Sequence, residues 1–565
     1  MKVSKAQSVH ITAQGLQDAC IEMVTKNGRP LTIVEDSGFC KIINPILDSF
    51  EEKIIINRHN IKDLIKVRAD QLRYQLKTKL KGKIISIKVD SAFRLDRSIL
   101  GVNIQYMDSG QIIVNTLAML ELKEKHAAEY LLQRILDVLK KYNIDIKQIY
   151  SFTSDNGANF IKTGKLFKKM QICLSAPCMS NKEGSSNLHN YIDNDNTYPD
   201  SDSDVEIKEE MDTRNPYHNL ENEISNLNIE FMVSIRCAAH TLQLAISDFL
   251  KETSLHGLIT ICTNVIKKLR NPSMLTMIKK VGLRKPVLHC PTRWDSTLKM
   301  IRSLINLRLF CIEYQAAIPS LKISDDNWEE MSTLDGILTP AHEACLNLQN
   351  EQLSMSDFFN VITKCKLAIK KINNSYSGIF ERVLHTRLVN IMNNDTMLSC
   401  IYLDPRYQIL LNNEQKNSAI QHICEMHDYI IRDYKQDDSF PDSSLPKEDY
   451  HPLEKEFDEI DELILTKERE FAKFIKIPVS KQNFRTAVEN FDNIQRISRN
   501  EDPRKYWKNN TLHGELSEIA NILFAVPVTQ VSVERAFSTL KFILADNRDR
   551  LSEDMLEDIL FIKLN

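Results

Sequence analysis

The spacing of apolar side chains changes along the chain, and each change marks a segment. Residues 1–80 repeat at helical intervals: Gln14–Val24 is amphipathic, Pro30 interrupts it before Leu31, and Ile61–Lys81 is a second amphipathic run. From Lys83 the period falls to two. Ile85, Ile87 and Val89 face one way and Ser86 and Lys88 the other, and Leu100, Val102, Ile104 and Tyr106 alternate again. After a tight turn at Asp108-Ser109-Gly110 a third run extends from Ile112 to Leu120. The stripe Tyr130, Leu131, Ile135, Val138 and Leu139 predicts a helix from about Lys123 to Tyr142. Gln148–Ser154 predicts a fourth strand, ending at Asp155-Asn156-Gly157. The order βββαβ places that strand parallel to the first, on the side away from the three-strand meander.

Two further stretches complete the pattern. Over 178–225 it lapses into polar, acidic sequence, which predicts a disordered loop open to modification at its serines. Beyond residue 300, Asp326–Gln349, Ser354–Ile372, Ile379–Met392 and Ser418–Tyr434 read as helices. Near the C-terminus Leu516, Ile519, Ala520 and Leu523 predict a helix that Pro527 ends. A second helix is expected from Thr529 or Ser532, capped by that side chain, and a third from Ser552, with Glu553 and Asp554 in its first turn. Glu534 is the acid placed within this apolar hairpin.

Composition narrows the picture. A chain of 565 residues with 42% apolar content can fill two to four domains. The net charge of -3 gives no whole-chain sign of nucleic-acid binding, so a DNA-binding surface must be local. One basic helix (Lys62, Lys66, Arg68, Arg73, Lys77, Lys79, Lys81) is either a solvated face or a phosphate-contacting one. Twelve cysteines without a regular framework read as reduced thiols of a soluble intracellular protein, and no apolar run is long enough to span a bilayer.

The chemistry converges on carboxylates. The βββαβ order makes Asp90 and Asp155 neighbours at adjacent strand ends, where open α/β sheets place their sites. Two close carboxylates repel, and a divalent cation relieves the repulsion. Hard oxygen ligands suit Mg²⁺ or Mn²⁺ rather than zinc. The competing reading is that Asp90 ends a strand and Asp155-Asn156-Gly157 is a plain turn. A zinc site from Cys173, Cys178, Cys237 and His240 is disfavoured, because the pairs straddle the acidic stretch and lack finger spacing. Arg293-Trp294, just after a proline, suits stacking on an unpaired base, with a buried tryptophan anchor as the alternative.

Taken in order, Asp90, Ser154-Asp155-Asn-Gly-Ala-Asn159, Cys237-Ala-Ala-His240-Thr-Leu-Gln-Leu, Pro291-Thr-Arg-Trp294-Asp-Ser and Ser532-Val-Glu534-Arg-Ala-Phe-Ser538 resemble the hAT (hobo/Activator/Tam) transposases and the host genes derived from them. The resemblance runs from about residue 10 and is closest from Asp502 to Asn565. It implies an α/β protein with a helical N-terminal region (1–80) and an RNase H-like core (81–177 and 226–300). An all-α insertion (301–500) interrupts that core, and a C-terminal dimerisation region (501–565) completes it. It further implies a DDE triad of Asp90, Asp155 and Glu534 holding two Mg²⁺ or Mn²⁺ ions for DNA cleavage and strand transfer. His240 would lie near that site, and Arg293-Trp294 would pack on a flipped base as a DNA hairpin forms. The expected protein is nuclear, binds DNA and forms a homodimer or higher homo-oligomer. Leu516, Leu523, Phe537, Leu556, Leu560 and Phe561 are expected to supply apolar surface for that association.

Three departures qualify the resemblance. Asp90-Ser-Ala-Phe93 lacks the tryptophan that often follows the first acid, and Val533 replaces the usual serine before the last. The N-terminal BED-type zinc finger is also absent, which points to a domesticated, truncated or incompletely represented gene product, catalytically silent in the alternative reading.

Overall fold

The computed structural model describes residues 11–175, 231–289, 294–431, 484–509, 514–544 and 551–565. The acidic stretch 178–225, Cys178, Arg293 and the side chains of Cys173 and Trp294 lie outside the described residues. The chain divides into two compact units, residues 1–106, 113–234 and 530–565 in one, and 107–112 with 235–529 in the other.

The first unit opens with helices α1 (Ala13–Thr25), α2 (Ser37–Leu47) and α3 (Arg58–Leu80). Thr12 caps α1 by accepting the Gly15 N–H, and Asn57 caps α3 by accepting those of His59 and Asn60. Strands β1 (Ile85–Arg94), β2 (Arg97–Asp108) and β3 (Gln111–Leu122) follow, then α4 (Ala128–Lys141), β4 (Ile149–Ser154), α5 (Ala158–Ser175) and β5 (Val233–Arg236). Residues 530–565 add α6 (Val531–Ile543) and α7 (Glu553–Leu564). The result is a mixed five-stranded sheet of order β3-β2-β1-β4-β5, flanked by helices. β1 pairs antiparallel with β2 and parallel with β4, the arrangement the βββαβ pattern predicts.

Two tight turns fix the meander. Leu95 and Asp96 both lie at positive φ (49° and 59°) between the paired residues Arg94 and Arg97, as a two-residue hairpin turn requires. Ser109 and Gly110 repeat the device between β2 and β3. The first turn extends β1 to Arg94, so Asp90 sits inside the strand and does not end it.

The expected alternation of β1 is present, yet Ser86 and Lys88 are as buried as Ile85, Ile87 and Val89. Both faces of β1 are covered. On one, Ile85, Ile87, Val89, Val102 and Ile104 join a core with Ile61 and Ile65 of α3, Leu131 and Ile135 of α4, and Ile559 and Leu560 of α7. The other carries a buried polar row: Ser86 and Lys88 stand opposite Gln105 and Asn103, and the Lys88 ammonium donates to Gln105 Oε1 at 2.7 Å.

Charge also holds the two ends of this unit together. The Arg73 guanidinium of α3 meets Asp558 at 2.7 Å and Glu557 at 3.4 Å on α7, and Lys141 of α4 reaches Glu557 at 2.9 Å. Arg73 also lies 4.9 Å over the Phe561 ring. Arg73 is thereby a structural member of the basic helix and is withdrawn from the phosphate-contacting face considered for it. At the open edge of the sheet the Asn565 side-chain amide takes both backbone groups of Thr116 on β3, accepting its N–H at 3.1 Å and donating to its carbonyl at 2.9 Å.

The second unit is built from helices, with Ala238–Leu250, Asp325–Asn347, Met355–Ile372, Ser375–Met392, Asn413–Tyr429 and Gly514–Phe524 among them. Phe249 stacks on Phe380 at 4.5 Å, and the buried Trp507 stacks on Phe491 while its indole N–H donates to the Leu403 carbonyl. A buried Arg406 is clasped by Asp404 and Asp357, so its charge is compensated where water is excluded. The thiols of Cys262 and Cys365 are buried, and burial pushes them up to about 12, which leaves them unreactive. Among the described residues no helix is long and apolar enough to cross a membrane.

Candidate functional site

The first two acids are placed by register. The β1–β4 ladder ends at Lys88 opposite Thr153, so two residues further along each strand Asp90 is level with Asp155. β4 stops there for a local reason. Asp155 Oδ1 accepts the Gly157 N–H at 3.0 Å, a side-chain turn that ends the strand and leads into α5. Asp155 is therefore both the plain turn residue of the competing reading and a neighbour of Asp90. On Asp90, Oδ1 accepts the Ser91 N–H at 2.8 Å.

The third acid arrives through a glycine. Across the β1–β2 ladder Asp90 faces Gly101, and directly opposed residues point to the same side of a sheet. A Cβ at Gly101 would fall 2.5 Å from Val533 Cγ1 and 3.3 Å from the Met119 sulfur. The missing side chain lets α6 settle against β1, and Glu534 follows Val533 in its first turn. The helix starts at Val531 after Gln530, and neither Thr529 nor Ser532 caps it, contrary to expectation. Ser532 is engaged elsewhere, accepting the Asn103 amide at 3.3 Å. Ser552 does cap α7, accepting the Met555 N–H.

The electrostatics register the convergence. The Asp90 carboxyl is pushed up to about 8, first by burial and then by the charge of Asp155, with Glu534 adding to it. The Ser91 N–H and the Gln530 side chain act the other way, as donors to the charged form. Glu534 itself is exposed, on a helical face that otherwise reads as core, so a solvated acid on a C-terminal helical cap stays open as a reading of the sequence. Among the described residues no group of three or more His, Cys, Asp or Glu side chains is gathered as a ready ligand set for a metal ion. The arrangement consists of two carboxyls level on adjacent strands and a third whose charge is felt at Asp90.

His240 belongs to the helical unit. It is partly buried in the first turn of Ala238–Leu250, and the Ala238 N–H of that turn donates to the Val528 carbonyl at 2.9 Å, two residues before Gln530. Trp294 is the first residue of the helix Trp294–Ile305. Three further residues at the acids went unread in the sequence: Gly101, Gln530 and Lys88. Lys88 carried a signal, since it is in phase with Asp90 on one face of β1. Gly101 and Gln530 carried none, because only the fold brings them to Asp90.

The apolar residues expected to supply an association surface are mostly used within the protein. Leu516, Leu523, Leu556, Leu560 and Phe561 are each at most 2% exposed, and Phe537 is partly buried against the core. Their apolar character reflects the protein's own core, so it is no argument for a partner. Compared with curated proteins, the chain matches none. Residues 484–565 match the family model of the hAT family C-terminal dimerisation region, which supports the resemblance to hAT transposases and proteins derived from them.

Proposed function

We propose that the chain is a nuclear, DNA-binding, homo-oligomeric hAT transposase-like protein whose Asp90, Asp155 and Glu534 form a metal-dependent site for DNA cleavage and strand transfer. The observation that supports this reading is the register that sets Asp90 level with Asp155, together with the charge of Glu534 acting on the Asp90 carboxyl. In this reading the mixed sheet is an RNase H-like core interrupted by the helical insertion, and residues 501–565 complete it.

Mg²⁺ or Mn²⁺ fits the chemistry present. A carboxyl pushed up by burial and by the charges of Asp155 and Glu534 is a set of hard oxygens short of positive charge. Once bound, two such cations would activate water or a 3′-hydroxyl and stabilise the leaving oxygen of an in-line phosphodiester displacement. Asp90 would hold such a cation after giving up its proton, with Asp155 beside it on the neighbouring strand end and Glu534 as the third acid. Arg293 and Trp294 take the role of holding a flipped base, and His240 that of a polar group near the scissile phosphate.

The test is Mn²⁺-dependent cleavage of hairpin-prone DNA. Wild type is expected to cut, and Glu534→Gln to lose about a hundredfold or more of the rate while still binding DNA. The second reading, a catalytically silent protein that dimerises on DNA or chromatin, is favoured by the exposure of Glu534. DNA binding without any Mn²⁺-dependent product from wild type selects it.

A further inference from the structure

Gln530 joins the first acid to the last. Its backbone carbonyl accepts the N–H groups of Val533 at 2.8 Å and Glu534 at 3.3 Å, which makes it the residue on which the Glu534 turn is wound. Its side chain hydrogen-bonds the Asp90 carboxyl. The residue is only 2% exposed, and its Oε1 has no hydrogen-bond partner. The Gln530 side chain acts as a donor to the Asp90 carboxyl, so its amide N–H faces that group and its oxygen is left without a protein partner. A buried amide oxygen without a donor costs on the order of 1–3 kcal/mol, and cores rarely retain one without a use. A neutral, hard oxygen beside a carboxyl is what a small divalent cation takes as an additional ligand. The amide also has a soft terminal torsion and can turn to present its oxygen alongside the carboxylate.

We propose that Gln530 is a further ligand of the divalent cation held by Asp90 and Asp155, its side-chain oxygen adding a neutral donor to a set otherwise made of acids. The inference rests on the cation site proposed above. Gln530 thereby senses whether that site is filled: metal-free, its amide steadies Asp90, and with the cation bound its oxygen gains a partner, while its backbone keeps Glu534 in register.

The experiment measures Mn²⁺ affinity of the full chain from the free-ion signal in electron paramagnetic resonance, with circular dichroism as a check on folding. Wild type is expected to bind, and Asp90→Asn to lose binding. Gln530→Leu is expected to bind about tenfold or more weakly, and Gln530→Glu, which keeps an oxygen and adds charge, at least as tightly as wild type. Should Gln530→Leu bind like wild type while Asp90→Asn does not, the role of Gln530 is overturned and the cation site stands. Should Gln530→Leu fail to fold, Gln530→Glu decides, since binding weaker than wild type overturns the proposal. Equal binding by wild type and Asp90→Asn, or none by either, overturns the site itself and the Gln530 role with it.

Discussion

Asp90 lies where the fold works against itself. In the unfolded chain its carboxyl ionises near the ordinary value of 3.8, whereas in the folded protein it keeps its proton up to about 8. Folding takes up a proton in between, so the stability Asp90 contributes is complete below the ordinary value and is lost as pH rises through about 8. Metal-free wild type is therefore expected to lose thermal stability from about pH 5 to about pH 8 relative to Asp90→Asn, with the variant gaining on the order of 2–4 °C at the upper end. Differential scanning fluorimetry in chelator reads this directly, and added Mn²⁺ should reverse the order. Gly101 makes a second residue-level prediction. Gly101→Ala puts a methyl group into Val533, and the overpacking should cost about 1–3 kcal/mol in chemical denaturation. Val533→Ala, which removes the colliding methyls, should recover most of it. If Gly101→Ala is neutral alone, α6 does not depend on that seat.

At the scale of elements, the joint between α3, α4 and α7 is the most exacting. Arg73 faces two carboxylates in a setting where Arg73, Glu557 and Asp558 are each about a tenth exposed. Arg73→Met strands those charges and is expected to cost about 3–5 kcal/mol. The triple change with Glu557→Gln and Asp558→Asn should return most of the loss, because a pair removed together leaves no buried charge behind. Asn565→Ala is milder. It removes two hydrogen bonds to Thr116, about 1–3 kcal/mol together, and uncovers part of the β3 edge, which hydrogen exchange at the Thr116 amide would report.

These elements also show what was legible in the sequence. Alternation of apolar and polar side chains named β1 to β3 and the order of elements placed β4, although both faces of β1 turn out to be buried. β5 was missed: Val233-Ser-Ile-Arg236 alternates, but over four residues only, with one of them buried, too short a run to stand out from its flanks. The start of α6 was misjudged because Ser532, a good cap in isolation, gives its oxygen to Asn103. Of the candidate site, Asp90 and Asp155 followed from topology and Glu534 from resemblance, whereas the seat that brings α6 down needed the β1–β2 register.

For the whole molecule, the dimerisation region supports homo-oligomerisation, while its most apolar side chains are already buried in the protomer. Association must then use surface left over on that region. Analytical ultracentrifugation of the full chain at micromolar concentration is expected to give a dimer or larger species, and a monomer there would mean the region has lost that role. A consequence for biosynthesis follows from the discontinuous first unit. While a ribosome extends the helical unit, the sheet has already emerged without α6 and α7, its Gly101 seat vacant and the apolar flank for Leu560 bare. Long-range closure of this kind is slow, so the nascent polypeptide needs shielding until residues 530–565 appear. A prematurely terminated product would keep that apolar flank bare and so be adhesive.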